Sequence, residues 1–404
     1  MNGLEPSVYI AGVGVISAIG NNVSETLSSF SESRAGMGDI SQLDTIHKNE
    51  LPVAEVKLTN AVLASLSGAD PSLPRTALLS MAAAREAIKD AGFDKLSSLR
   101  CGFISANTTG GMDLSENFFR SFRDDKNTGK LRDIIHHECG AVTDLVADHL
   151  GIRHYISTIS TACSSSANAI FFGARLIRHN IVDVVVAGGA DALTRFTING
   201  FNTLMILDKD FCKPFDENRK GLNLGEGAGY VVLVSDKLAG GLKKKPYATL
   251  SGYANANDAY HQTASSPEGT GSWLAMQGAL KRSGLVPSDI DYINLHGTGT
   301  QNNDIAEGTA IQRLFAPSFP KLSSTKSFTG HTLGGCGSIE AVFSCLAIEH
   351  GIIYPNLRFA APMKELEFIP ETKYLVGQRV NHVMSNSFGF GGNCTSLVFS
   401  KPVF

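Results

Sequence analysis

The sequence has no CxxC pair, no marked excess of one charge and no long apolar run, and each absence removes a class of function. Its 35 basic and 38 acidic side chains leave a formal net charge of −3, which gives no global reason to expect a nucleic-acid partner. No stretch approaches the ~18 uninterrupted apolar residues of a membrane span. The opening residues, Met1-Asn-Gly-Leu-Glu-Pro, lack the basic segment and apolar core of a secretory signal. The seven cysteines are odd in number and scattered among apolar and small residues, unlike a secreted disulfide framework. Without a CxxC pair no structural zinc site is expected, and the short cluster His136-His-Glu-Cys139 is too small to replace one. Gly12-Val-Gly14-Val-Ile-Ser17 has serine where a dinucleotide fingerprint needs its third glycine, so no redox cofactor is expected. These absences leave the pattern of a reduced, cytoplasmic, globular protein.

Glycine is what the chain has in quantity, 41 of 404 residues, and it clusters in particular segments. The length suits one large domain or two fused medium ones. Short apolar runs alternate with amphipathic stretches, which predicts an α/β architecture. Strands are expected at 8–15, 101–106, 155–159, 182–187, 230–235, 292–295 and 396–399, and helices at 75–91, 164–179, 271–283 and 338–350. Gly92 and Gly284 stand where glycine closes a helix. The segments ending at those two glycines resemble each other, and each precedes a polar loop and an apolar strand. The chain therefore reads as two similar halves, 1–240 and 241–404. Between them Gly240, Gly241 and the basic run Lys243, Lys244 and Lys245 form a solvated connector.

Four segments carry chemistry. In Ser160-Thr-Ala-Cys163-Ser-Ser-Ser-Ala, a strand runs into a helix rich in small residues. That puts Cys163 beside exposed helix amides, where the macrodipole favours a thiolate; a buried inert cysteine is the equal alternative. Asn294-Leu-His296-Gly-Thr298-Gly-Thr300 places a histidine at the C-terminal end of a strand, where α/β folds set active sites. A satisfied structural histidine would read the same way. In Lys326-Ser-Phe-Thr-Gly-His331-Thr-Leu-Gly-Gly-Cys-Gly337, a lysine and a histidine precede a glycine-rich helix entry, a site for developing negative charge or else for tight packing. Near the C-terminus, Phe388-Gly-Phe390-Gly-Gly could supply backbone amides and an apolar gate, or form a plain turn.

Taken together, and in this order, the four segments resemble the β-ketoacyl-[acyl-carrier-protein] synthases of the thiolase-like superfamily, over essentially the whole chain. Val185-Val-Ala-Gly-Gly-Ala-Asp191 and Leu224-Gly-Glu-Gly-Ala-Gly also match that family. The resemblance implies a five-layered αβαβα sandwich of two similar halves. It implies Cys163 as nucleophile, His296 and His331 as catalytic histidines, and Lys326 as a supporting lysine ion-paired with Asp304 or Glu340. Glu307 matches a further acidic position, and Thr298 and Thr300 match threonines that hold pantetheine. The family loop assigns an oxyanion amide and a gate to Phe388 or Phe390, with Phe388 favoured. No cofactor is implied, because substrates ride on the phosphopantetheine of an acyl carrier protein. A homodimer, or a heterodimer with a chain-length-factor-like subunit, is implied as well.

This chain departs from the family pattern at several points. Asn393 and Cys394 stand where threonine and asparagine are usual. Thr109 occupies an acyl-pocket position often filled by a larger apolar residue. The segment around Arg75 lacks the basic cluster many relatives use for carrier docking. Fatty-acid elongation is the leading expectation, a polyketide or aryl-polyene pathway the second, and a non-catalytic partner subunit the third. A thiolase would need a second catalytic cysteine, for which Cys394 is placed.

Overall fold

The computed structural model describes residues 6–93, 96 and 98–403. Ten strands form one mixed sheet: β1 (Val8–Ser17), β2 (Cys101–Ala106), β3 (Tyr155–Ile159), β4 (Val184–Asp191), β5 (Gly227–Ser235), β6 (Ala248–Asn257), β7 (Tyr292–Asn294), β8 (Lys321–Ser323), β9 (His382–Phe388) and β10 (Asn393–Ser400). Their order is β8-β7-β9-β10-β6-β1-β5-β4-β2-β3. Adding five to each label of one half gives the order of the other, with the same parallel and antiparallel neighbours. The two halves meet where Tyr9 and Ile10 of β1 pair with Thr249 and Ala248 of β6.

Seven helices matter for the site: α1 (Arg75–Asp90), α2 (Cys139–Leu150), α3 (Ser165–Arg178), α4 (Arg195–Thr203), α5 (Thr270–Ser283), α6 (Gln301–Phe315) and α7 (Cys336–His350). Helices α1 and α2 cover the outer face of the first half, and α5 covers that of the second with α6 packed beside it. Helices α3 and α7 pack on each other and on strands of both halves, forming the middle layer. That position explains their composition. Cys336 to Ile348 of α7 are all buried, as a helix apolar on every side must be. The layered α/β arrangement expected from the sequence is present.

The expected helices recur within one or two residues. Sequence periodicity passed over β6, whose partly exposed half alternates with polar residues (Ser251, Asn255, Asn257), and β9, where Ser385, Asn386 and Ser387 are buried inside a strand. It also passed over α6, whose first turn is Gln-Asn-Asn-Asp. The glycine pair Gly12 and Gly14 lies within β1, under α1. A Cβ at Gly12 would come within 2.3 Å of the Ala87 carbonyl, and one at Gly14 within 2.1 Å of the Ala83 carbonyl. These glycines let an alanine-faced helix approach the strand backbone. Among the described residues, no helix is long and apolar enough to cross a membrane.

The close approach sets a test of the packing. Gly14→Ala should overpack the α1–β1 contact at a cost of about 1–3 kcal/mol, read as a drop of a few degrees in apparent melting temperature. An unchanged transition would show that the contact is looser than described.

Candidate active site

Cys163 lies where β3 gives way to α3. The turn is tight, with Ala162 at φ 53° and a bridge between Thr161 and Cys163. The Thr161 amide donates to Ser165 Oγ at 2.8 Å. A positive φ at alanine costs about 1–2 kcal/mol, and such strain gathers at functional positions. Ser164, Ser165, Ser166 and Ala167 are buried, so small side chains seat the start of α3 deep in the middle layer. The Cys163 side chain is itself buried. Its own amide and that of Phe390 point at the sulfur. Burial pushes the thiol up to about 11, while Lys326 and the two amides pull it down. Burial therefore outweighs the helix terminus, and the resting group is a thiol where the sequence favoured a thiolate.

His296 follows β7 in a loop braced by two carboxylates from α6. Glu307 accepts the amides of His296 (2.9 Å) and Gly297 (2.8 Å), and Asn386 donates to it at 3.2 Å. Asp304 accepts the amides of Thr298 (3.0 Å), Gly299 (3.2 Å) and Phe215 (2.8 Å). Burial pushes the Glu307 carboxyl up to about 7. Gly299 takes φ 85°, which the bend of this loop requires. His331 is clamped in the backbone: its amide donates to the Asn223 carbonyl at 2.7 Å, and its carbonyl accepts the Gly225 amide at 2.9 Å.

Lys326 is buried and ion-paired with Glu340, the second of the two partners the sequence allowed. Asp304 instead lies 3.9 Å from Arg219. Glu340 holds the Lys326 ammonium protonated despite burial. Lys326 Nζ stands 3.3 Å from His296 Nδ1. An ammonium offers donors only, so Nδ1 accepts and the His296 proton sits on Nε2. His331 Nδ1 accepts the Leu333 amide at 3.0 Å, which puts its proton on Nε2 too. Burial first, then Lys326, pushes His331 down to about 3 and His296 well below the usual histidine range. Both rings are neutral.

The three groups converge. Cys163 Sγ and one nitrogen of each imidazole lie within 4.8 Å of one another, and the rings stand at 90° with centroids 5.5 Å apart. A thiol and two imidazoles could ligate zinc, but the fixed ammonium of Lys326 disfavours a cation beside them. The cavity in front of these groups is about 270 Å³. Thr298 and Thr300 line it with hydroxyls 2.9 Å apart. Phe388, Phe390 and Phe201 are its aromatic walls, and exposed Met205 and Lys220 also border it.

Two expectations need correction. The amide facing the sulfur is that of Phe390, not Phe388. Phe388 is the last residue of β9, in register with Cys394 of β10, with its ring 6.0 Å from that of His296; Phe390 begins the turn that crosses the sulfur. Thr109 does not line the cavity. Its hydroxyl donates to Asp191 at 2.8 Å. Arg75 is buried and paired with Glu226 at 2.6 Å, which fits a segment without a basic docking cluster. Cys394, the candidate second cysteine, is buried outside the cavity lining with its thiol toward Ser272.

Two structural residues escaped the sequence reading. Asp191, a carboxylate ending a wholly buried strand, accepts the amides of Thr108, Thr109 and Gly334, tying two loops of the site together. Asn393 accepts from Ser164 (2.7 Å), Asn168 (3.0 Å) and Asn255 (2.7 Å), which fastens the C-terminal loop to the start of α3. A carboxylate closing an apolar run was the available signal for Asp191. Asn393 stood out only as a departure from the family pattern, with no role attached to it.

Comparison with known proteins points to one family. The family pattern described as "Beta-ketoacyl synthase, N-terminal domain" matches residues 5–239, and "Beta-ketoacyl synthase, C-terminal domain" matches residues 247–360. The chain is 33% identical over 408 residues to 3-oxoacyl-[acyl-carrier-protein] synthase 2 of Staphylococcus aureus, covering 98% of each chain. Among solved structures, the ishigamide ketosynthase/chain length factor superposes with a TM-score of 0.92 at 29% identity, covering 99% of this chain and 100% of the other. The ketosynthase ApeO in complex with its chain length factor ApeC, from Xenorhabdus doucetiae, gives 0.84 at 30% identity, covering 98% of each.

The neutral histidine has a consequence for stability. His331 titrates at about 3 in the fold, against an ordinary 6.5. Between those values the unfolded chain binds the proton and the fold does not, so stability falls as pH drops below about 6.5. Glu307, pushed up to about 7 by burial, acts in the opposite direction. The difference between the parent and His331→Gln isolates the histidine. On going from about pH 6.5 to 4.5 the variant should lose stability less steeply, by up to about 1.4 kcal/mol per pH unit. Parallel curves would mean that His331 is not held neutral.

Proposed function

The chain belongs to the β-ketoacyl synthase family, and on that premise we propose that it is a 3-oxoacyl-[acyl-carrier-protein] synthase that carries its acyl group on Cys163. Residues 1–240 furnish the nucleophile and residues 241–404 the two histidines. The observation that carries this reading is the convergence of one thiol and two Nε2–H donors on a single cavity.

In the first half-reaction Cys163 Sγ adds to the carbonyl carbon of an acyl thioester on a carrier's pantetheine. The oxyanion receives hydrogen bonds from the Cys163 and Phe390 amides. On collapse the C–S bond to pantetheine breaks, and the departing thiol takes the proton that Cys163 gives up. In the second, a malonyl thioester enters along Thr298 and Thr300 and loses CO₂. The electron pair of the broken C–C bond moves into the thioester, and the enolate oxygen receives the Nε2–H bonds of His296 and His331. Their neutrality suits this task. An imidazolium would protonate the nascent carbanion, whereas a neutral donor stabilises the enolate and leaves its carbon nucleophilic. That carbon attacks acyl-Cys163, and the C–S bond breaks with its electron pair on Cys163 Sγ. A β-ketoacyl thioester leaves on the carrier, and the Cys163 thiolate takes up a proton from water to regain its resting thiol.

Fatty-acid elongation is the leading assignment, supported by the name and full-length match of the Staphylococcus aureus relative. A second reading is a ketosynthase that works beside a chain-length-factor-like subunit, in polyketide or aryl-polyene assembly. It is supported by the ketosynthase/chain length factor structures that superpose over nearly the whole chain. The carrier would dock at the cavity mouth, and assembly as a homodimer or as such a heterodimer fits the two readings in turn.

Carrier proteins loaded with acyl chains of different length test the assignment. Mass spectrometry should find an acyl adduct on the Cys163 peptide with at least one chain, and none in Cys163→Ala. His296→Ala or His331→Ala should lower malonyl decarboxylation by about 10²–10³ while acyl loading persists. If no donor labels Cys163, the chain is a non-catalytic partner subunit instead.

A further inference from the structure

We propose that Phe201 is a positioning residue that holds the Phe390 amide over the Cys163 sulfur. The inference rests on Cys163 being the acyl carrier. Within Gly389–Gly392 the only side chain is that of Phe390. Gly391 and Gly392 take φ 77° and 78°, and a Cβ at Gly391 would meet nothing within 4 Å. The backbone ties of the turn fall on its other residues: Gly389 donates to Asn393, and Gly391 donates to the Gln262 carbonyl at 2.7 Å. The Phe390 ring is therefore what anchors its own amide from the side. That ring stacks on Phe201, with centroids 5.9 Å apart and planes 16° from parallel.

Phe201 stands on a stiff support. Helix α4 starts in a reciprocal cap between Thr194 and Thr197, Glu116 accepts the Phe196 amide at 2.8 Å, and Asn199 meets His47 Nε2 at 3.0 Å. The Phe201 side chain packs on an apolar cluster that includes Leu222 and Leu333. Gly389 presses on the Cys163 turn, where an added Cβ would come within 3.1 Å of the Cys163 amide nitrogen. A shift of the Phe390 ring would thus be felt at the sulfur.

The two half-reactions separate this role from general packing. Acyl transfer needs the amide pair, and decarboxylation needs the imidazole pair, so losing the Phe201 ring should weigh on the first. Acyl loading of Cys163 from a carrier-bound acyl thioester and decarboxylation of malonyl carrier would be measured in Phe201→Ala, Phe201→Leu and Phe201→Tyr. The ratio of loading to decarboxylation should fall about tenfold in the alanine and leucine variants, and tyrosine should restore it. The leucine variant keeps the apolar volume, which guards against simple misfolding. An equal fall in both half-reactions, or an unchanged ratio, would overturn the proposal. A parent protein that fails to load Cys163 at all would instead overturn the reading on which it rests.

Discussion

A buried ammonium sets the state of the groups around it. Lys326 is paired with Glu340 and faces His296 Nδ1, in a part of the molecule where water is largely excluded. Removing two ions from water costs several kcal/mol each before their attraction returns any of it. Stability alone is therefore a poor reason for the pair. Its effect on its neighbours is a better one. The charge pushes both imidazoles toward neutrality and draws the Cys163 thiol down against burial. It also fixes which nitrogen of His296 carries the proton. Burial and this one positive charge together yield two neutral donors, and the charge leaves a thiol that is easier to ionise than burial alone would allow.

The fold brings these groups together through its internal repetition. The turn from β3 to α3 carries Cys163, and its counterpart from β8 toward α7 carries Lys326 and His331. The loop after β2 is held by the carboxylate of Asp191, and the loop after β7 is held by Asp304 and Glu307. Because α3 and α7 share the middle layer, the entrances of both helices face one cavity. The Cys336 thiol at the start of α7 donates to the Cys163 carbonyl at 3.1 Å, a direct contact between the two entrances.

Much of this was legible in the sequence, for identifiable reasons. Cys163, His296 and His331 each sit in a short run whose glycines and small residues announce a tight backbone. The paired halves showed in helix ends closed by Gly92 and Gly284. What could not be read depends on distances across the fold. Which phenylalanine turns its amide to the sulfur depends on where β9 ends, and Phe388 still belongs to the ladder. Thr109 is turned away from the cavity lining, its hydroxyl held by Asp191. The choice of Glu340 over Asp304 as the partner of Lys326 was equally closed to a linear reading. So were strands whose buried positions are polar, as at Ser385, Asn386 and Ser387.

The central claim is that the His296 and His331 imidazoles are both neutral and carry their proton on Nε2. Nitrogen-15 NMR of the protein labelled at histidine tests it directly, with His296→Gln and His331→Gln assigning the signals. Both residues should show an unprotonated Nδ1 and a protonated Nε2, unchanged from about pH 8 down to about pH 5. A doubly protonated imidazolium at either position near pH 6.5, or a proton found on Nδ1, would contradict it.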